Sequence, residues 1–288
     1  MVWEAALHEL PLLLFSVLVP VGLMSLGLIG CVRGFAGTSE EEPNKKLNLL
    51  SVIPLAIVVI GLIAAIFHVG SPAHIFLMAS GVGVSPLSNE IIVAGLSTAV
   101  AAIYWIIVMV KRPADGFHKV FGIVVTVLAL ATAVFTGLAY MMPTVLTWNT
   151  PFSWAGQLFL GLLGGSALAA GVLALAGYHV DRKISLSLAL IGAVSAIGVV
   201  AVVFMQGGMA GEAMSSAGAS LASSMGDYSM FAGAAAVLVV VGVGIWLFSA
   251  FKGVGRTSLP LVAFIAVLVG LLLVRVDFYG IFLTAGIS

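Results

Sequence analysis

Apolar runs of about 20 residues recur along almost the whole chain, and this feature restricts the fold more than any other. A helical run of that length crosses the hydrocarbon core of a bilayer. The 288 residues are 62% hydrophobic and only 8% charged. Soluble domains carry about 25% charged residues, so this composition cannot cover a water-facing surface. The runs also lack the two-residue alternation of membrane β-barrel strands.

The sequence therefore predicts an all-α integral membrane protein, a bundle of eight transmembrane helices in a single membrane domain over residues 1–288. Residues with turn chemistry separate the apolar runs, and the spans are expected to be good to about four residues. The predicted spans are Leu10–Val32, Leu49–Val69, Leu87–Val110, Val120–Met141, Ala155–Tyr178, Ser185–Gln206, Tyr228–Phe251 and Leu259–Phe278.

Basic residues lie in alternate connections between these spans. Ten of the eleven Lys and Arg fall in the first, third, fifth and seventh connections, and the exception is Arg275 near the end of the last span. The positive-inside rule places those four connections in the cytoplasm and both ends of the chain on the outer side. Because a miscounted helix would disrupt the alternation, the charges also support the number eight. No basic patch interleaved with aromatic residues suggests nucleic acid binding.

The metal-ligating residues are few and scattered. A lone cysteine, Cys31, cannot ligate an iron–sulfur cluster or build a zinc site. The histidines do not suit two haems across the membrane, because they divide between the cytoplasmic side (His118, His179) and the outer side (His8, His68, His74). We therefore expect no metal, haem or cluster on this chain, and expect any redox centre to lie in a partner.

Three polar residues fall near the outer boundary. His68 ends the second span and Glu90 begins the third, so a histidine and a carboxylate meet the edge of an apolar slot. Such a pair can hydrogen-bond a quinol hydroxyl and accept its proton. Simpler alternatives remain open: His68 anchors a helix end in the headgroups, and Glu90 complements the helix dipole. Arg275 either extends to the headgroups, pairs with Glu90 or contacts a partner subunit.

Several motifs match a known family. They are His8-Glu9-Leu10-Pro11, His68-Val69-Gly70-Ser71-Pro72 and the ten residues from Val82 to Ile91, with weaker echoes at Thr147-Trp148, Met205-Gln206-Gly207 and Arg275–Gly280. In these motifs the chain resembles the membrane anchor subunits of dimethyl sulfoxide reductases, which belong to the molybdopterin oxidoreductase complexes. The similarity covers most of the chain.

The resemblance implies an anchor in the cytoplasmic membrane that serves anaerobic respiration. It would hold a molybdopterin catalytic subunit and a four-cluster iron–sulfur subunit at the outer face, and oxidise menaquinol without haem. The quinol-site residues implied by the motifs are His68 and Glu90. The candidates for shaping the pocket are Gly70, Ser71, Pro72, His74, Phe76, Asn89 and Arg275. At His74 the chain departs from the family, which has an arginine at that position.

Two other functions remain as alternatives. A polysulfide-reductase-type anchor with a proton-conducting role should carry ionisable residues deep in its helices, and this sequence has almost none. A secondary transporter favours broken helices, for which only Pro20 and Pro54 offer a hint. The terminal electron acceptor is not encoded in this chain, so dimethyl sulfoxide, trimethylamine N-oxide and other acceptors are equally compatible.

Overall fold

A computed structural model of the chain describes residues 2–37, 41–69, 80–215, 218, 220–252 and 258–284. Within these ranges, eight helical segments are long and apolar enough to cross a bilayer, which confirms the predicted all-α fold and helix count. The helices are α1 Val2–His8, α2 Leu10–Ala36, α3 Glu41–Leu50, α4 Val52–Val69, α5 Pro86–Lys111, α6 Asp115–Ala139, α7 Pro151–Ala176, α8 Arg182–Glu212, α9 Met225–Lys252 and α10 Leu259–Gly280.

Two helices extend clearly beyond the predicted apolar spans: α8 continues to Glu212 and α6 begins at Asp115. A helix can continue past an apolar run, because its backbone hydrogen bonds do not depend on hydropathy. The side chain of Asp181 accepts a hydrogen bond from the backbone N–H of Ile184, which fixes the start of α8.

Two short helices were not predicted from hydropathy. α1 is one of them, and it packs along α10. The other is α3, which occupies much of the first connection. A turn at Ser51 separates α3 from α4. Pro54 explains the break, since a proline cannot donate a backbone hydrogen bond to the carbonyl of Leu50.

The central helices of the bundle are α2 and α7, and they pack against each other. α2 also packs against α4 and α6, while α7 packs against α8 and α10. α5 then lies on α6 as α9 lies on α10, so the four helices of the first half and the four of the second are arranged in the same order. The halves differ at one place: α8 and α9 pack along each other, whereas few residues of α4 and α5 come together.

Successive membrane helices run in opposite directions, and the bundle has two chemically different ends. We call one the terminal end, because α1 and the residues after α10 lie there, with the end of α4 and the start of α5. Its tertiary contacts include the β-bridge between Val145 and Thr284. The other is the basic end, where α2, α5, α7 and α9 finish and where Arg33 meets Asp115. The predicted placement of all these basic connections in the cytoplasm stays a prediction.

Glycines allow α2 and α6 to approach closely. A Cβ at Gly27 would lie 2.6 Å from the backbone nitrogen of Thr126, and a Cβ at Gly30 would lie 2.8 Å from Cα of Gly122. A Cβ at Gly122 would overlap the backbone of Cys31. Small residues at such a crossing are typical of membrane helix pairs, which associate mainly through close packing.

Gly122→Ala should therefore force α2 and α6 apart and destabilise the protein by about 1–3 kcal/mol, the usual cost of overpacking. The measurement is thermal unfolding of the detergent-solubilised protein. Gly95→Ala on α5 is the matched control, since a Cβ at Gly95 has no neighbour within 4 Å. Equal melting temperatures for both variants would contradict the close α2–α6 approach.

The orientation predicted from the charges can be tested with single cysteines in a Cys31→Ala background. Asn149→Cys, exposed in the connection between α6 and α7, should react with a membrane-impermeant maleimide in intact cells. Lys46→Cys, exposed on α3, should react only after permeabilisation. The opposite pattern would reverse the orientation, and permeabilised membranes, in which both cysteines should react, provide the control.

Candidate functional site

Glu90 faces the interior of the bundle near the start of α5. The helix begins at Pro86, and the hydroxyl of Ser85 accepts a hydrogen bond from the backbone N–H of Ser88 at 3.3 Å. Glu90 is 4% exposed, and among the described residues its Oε1 has no hydrogen-bond partner. A carboxylate that only complemented the helix dipole would stay solvated, so burial assigns Glu90 a more specific role.

The groups around Glu90 come from other helices. Thr136 on α6 lies beside its carboxyl, and the charge of Arg275 on α10 acts on it. Tyr140, which follows α6, lies within the electrostatic range of both Glu90 and Arg275. The fold therefore collects a buried carboxyl, a guanidinium and a phenol at the terminal end from three helices.

Arg275 is buried, with only 4% of its surface exposed. Its Nε donates a hydrogen bond to Oγ of Ser16 on α2 at 2.9 Å. The guanidinium lies 4.0 Å from the centre of the Phe278 ring and 4.9 Å from that of Tyr279. Such contacts stabilise a cation away from water. Arg275 thus points into the bundle rather than to the headgroups. Its charge acts on Glu90, but the described residues show no direct ion pair between these two side chains.

Further polar groups complete what we call the Arg275 cluster: Ser16, Glu90, Tyr140, Gln157, Arg275 and Tyr279. The hydroxyls of Tyr140 and Tyr279 form a hydrogen bond, and Nε2 of Gln157 donates to the backbone oxygen of Ser16. Sequence reasoning missed Ser16, Tyr140, Gln157 and Tyr279. In the sequence these four residues are polar groups at similar depth in four separate spans. Hydropathy alone does not show that such groups meet.

The weaker sequence motifs have structural partners at the same end. Nε1 of Trp148 donates to the backbone oxygen of Phe278 at 2.8 Å, and the two rings stack with centres 5.2 Å apart. The amide of Gln206 donates to the backbone oxygen of Thr147 at 3.3 Å. The Trp148 contacts hold the connection between α6 and α7 against α10, close to Arg275, and the Gln206 contact holds it against α8.

Asp277 is a second buried acid near the end of α10. It is 1% exposed, and within the described residues neither carboxyl oxygen has a hydrogen-bond partner. It lies near Tyr228 at the start of α9. Asp277 stands two positions after Arg275, and residues at that spacing on a helix point to different faces.

His68 lies at the last turn of α4, as predicted, and its described ion-pair partner is Glu9. Its Nδ1 is 3.7 Å from Oε2 of Glu9, and both side chains are more than one third exposed. The two strongest candidates, His68 and Glu90, thus share the terminal end but contact different groups. Asn89 has a local role, since its Oδ1 accepts a hydrogen bond from the backbone N–H of Gly83 at 2.7 Å and closes the turn before α5.

The remaining pocket candidates, Gly70, Ser71, Pro72, His74 and Phe76, lie outside the described residues. Within the part of the chain that the structure covers, no group of three or more His, Cys, Asp or Glu side chains is arranged to hold a metal ion. His118, which the sequence placed in a connection, is instead buried in the first turn of α6, where its Nδ1 is 2.9 Å from the hydroxyl of Tyr104.

A double-mutant cycle should detect the interaction between Glu90 and Arg275. Arg275→Met removes the hydrogen bond to Ser16 and the cation near Glu90, so it should lower the free energy of unfolding by about 1.5–3 kcal/mol. Adding Glu90→Gln should restore part of that loss, with a coupling energy of about 0.5–3 kcal/mol. Thermal or denaturant unfolding of the two single variants and the double variant measures the coupling. Strictly additive losses would show that the two groups do not interact.

Comparison with known proteins identifies the family of this chain. A family model described as DMSO reductase anchor subunit (DmsC) matches residues 3–281. The protein is 30% identical to the C subunit of the anaerobic dimethyl sulfoxide reductase of Escherichia coli (strain K12) over 287 residues, covering 98% of this sequence and 97% of the relative.

Two further relatives show the same similarity. The YnfH subunit of an anaerobic dimethyl sulfoxide reductase from Escherichia coli (strain K12) is 26% identical over 98% of this sequence and 97% of its own length. The C subunit of the anaerobic dimethyl sulfoxide reductase from Haemophilus influenzae is 29% identical over 59% of this sequence and 60% of its own length. Together with the eight membrane-spanning helices, the match over residues 3–281 shows that this chain belongs to the family of DMSO reductase anchor subunits.

Proposed function

We propose that the chain, acting as a single membrane domain, oxidises menaquinol and passes the electrons to an iron–sulfur subunit of its complex. The observation that carries this proposal is Glu90, a buried carboxyl with one oxygen free of hydrogen bonds in the described structure, within electrostatic range of Arg275. A carboxyl in such a place can take up a proton from a bound hydroxyl. Membership of the anchor family supports the role in the complex.

The quinol headgroup would dock between the terminal ends of α4 and α5. Few residues of these helices come together, and both helices expose apolar side chains such as Phe67 and Leu87. A quinol could therefore enter sideways from the lipid, with its tail along apolar surface. His68 at the end of α4 and Glu90 near the start of α5 flank that entrance.

Oxidation of one quinol releases two protons and two electrons. His68 would hydrogen-bond one hydroxyl and accept its proton, and Glu90 would accept the other and release it towards the terminal end. Arg275 would stabilise the Glu90 carboxylate between turnovers, because an unpaired buried charge is costly. The electrons would leave singly for the clusters of the iron–sulfur partner, and from there for a molybdopterin subunit that reduces the acceptor.

The charge distribution supports an arrangement in the cytoplasmic membrane with both chain ends on the outer side. The terminal end would then face outward and carry the iron–sulfur and molybdopterin subunits. Exposed side chains at that end, including Met142, Leu146 and Met214, suit contact with a partner. Quinol protons and electrons would leave from the same side of the membrane.

Variants at the two flanking residues test the site. In the purified complex, Glu90→Gln and His68→Ala should each weaken binding of a quinol analogue by about 10–100-fold, the usual effect of losing a hydrogen bond to a charged group. Titration of the analogue against protein fluorescence measures the affinity. Glu212→Gln, on an exposed acid at the terminal end, and His179→Ala, on an exposed histidine at the basic end, are the matched controls and should bind normally.

Co-purification of the partner subunits with each variant checks that the complex is assembled. Unchanged affinity in both Glu90→Gln and His68→Ala would refute the proposed site. Equal weakening in the two control variants would assign the effect to general damage instead.

A further inference from the structure

A cleft of about 290 Å³ opens at the basic end, between the end of α2, helix α3 and the end of α5. This is the end of the molecule opposite the proposed quinol site. The lining includes three cations and one acid, together with amide side chains: Arg33, Glu41, Asn44, Lys45, Asn48 and Arg112. The lining side chains therefore carry a formal charge of +2, from three positive charges and one negative.

Two of the three cations already have partners within the protein. Nζ of Lys45 lies 2.7 Å from Oε1 of Glu41 and 3.6 Å from Oε1 of Glu42. Nη2 of Arg33 lies 3.6 Å from Oδ1 of Asp115, and its Nη1 donates to the side chain of Asn44. These contacts hold the side chains in place around the cleft and use part of their hydrogen-bonding capacity.

The hydrogen-bonding capacity that remains on Arg33 and Arg112 suits an anion. Among the described residues Arg112 forms no ion pair, and Nε of Arg33 is buried without a hydrogen-bond partner. Arg112 ends α5 with a left-handed backbone, at φ 45°, and its N–H bonds to the carbonyl of Val108. This turn, followed by Pro113, places Arg112 at the edge of the cleft. Arginine is well suited to phosphate, which it binds through paired N–H groups.

The surroundings of the cleft are those of a lipid headgroup. α2 is 27 residues long, or about 40 Å, so its end reaches the headgroup layer of a bilayer. The exposed apolar side chains Leu49 and Val110 lie next to the cleft along the chain. Basic groups thus adjoin apolar surface, which matches an amphiphile.

We propose that this cleft binds the phosphate of an anionic phospholipid, with Arg112 and Arg33 donating to the phosphate oxygens and the acyl chains lying on the apolar surface of α4 and α5. Basic pockets between membrane helices on the basic side of a protein are suited to such headgroups. A free phosphate ion shares the headgroup chemistry but would gain nothing from the apolar surface. The bound lipid would fasten α3 to the ends of α2 and α5.

The test is native mass spectrometry of the purified complex, delipidated in detergent and then supplied with phosphatidylglycerol or phosphatidylcholine. The wild-type complex should retain phosphatidylglycerol in preference, and Arg112→Gln should lower that retention about fivefold. Arg112→Lys keeps the charge and should retain most of the binding. The matched control is Arg182→Gln, which removes an exposed basic-end cation outside the cleft and should leave retention unchanged.

Three outcomes would overturn the proposal. Equal retention of the two lipids by the wild-type complex would show no anion selectivity. Equal losses in Arg112→Gln and Arg182→Gln would show that general surface charge, not the cleft, attracts the lipid. Thermal stabilisation by inorganic phosphate that matches stabilisation by phosphatidylglycerol, and is lost in Arg112→Gln, would assign the cleft to free phosphate. None of these results bears on the quinol site at the terminal end.

Discussion

The burial of one guanidinium organises the terminal end of this protein. A cation within a membrane protein is costly unless other groups replace its hydration. Arg275 meets that requirement with the hydroxyl of Ser16 and the faces of three aromatic rings, from Tyr140, Phe278 and Tyr279. Since these groups lie on or beside α2, α6 and α10, the guanidinium needs all three helices in register. The hydrogen bonds of Trp148 to the carbonyl of Phe278 in α10 and of Thr147 to the carbonyl of Ile281, just after α10, strengthen the same register.

The position of Glu90 follows from that arrangement. α5 packs against α6. The inward face of the first turns of α5 therefore lies beside Thr136 and near Arg275. A carboxyl buried there without a cation nearby would be costly. Beside this place, few of the described residues of α4 and α5 come together. The tight pairing of α8 and α9 closes the corresponding place in the second half.

The two ends of the bundle serve different physical purposes. At the terminal end, the groups of the Arg275 cluster are gathered inside the bundle beside aromatic rings. At the basic end, Arg33, Lys45 and Arg112 line an open cleft between the ends of α2 and α5 and helix α3. The close α2–α6 approach at Gly27, Gly30 and Gly122 connects the two ends.

The sequence by itself determined the class of protein, the number of membrane helices and the sites where charge is concentrated. These depend on local properties, because about 20 apolar residues in a row can be stable in a bilayer only as a helix. It also identified His68, Glu90 and Arg275 as chemically unusual, since ionisable groups are rare near apolar spans. The start of α5 and the end of α4 lie where the sequence predicted them.

Only the tertiary structure decided which of these groups meet. Ser16, Gln157 and Arg275 are separated by more than one hundred residues along the chain, and no local pattern connects them. Tertiary packing also decided that Arg275 turns inward and that the described partner of His68 is Glu9 rather than Glu90. The short helices α1 and α3 escaped hydropathy because packing against α10 and α7 holds them, and α3 adds the ion pairs of Lys45 with Glu41 and Glu42. Helix pairing across the membrane, which depends on shape and on hydrogen bonds between distant residues, therefore defined the candidate site.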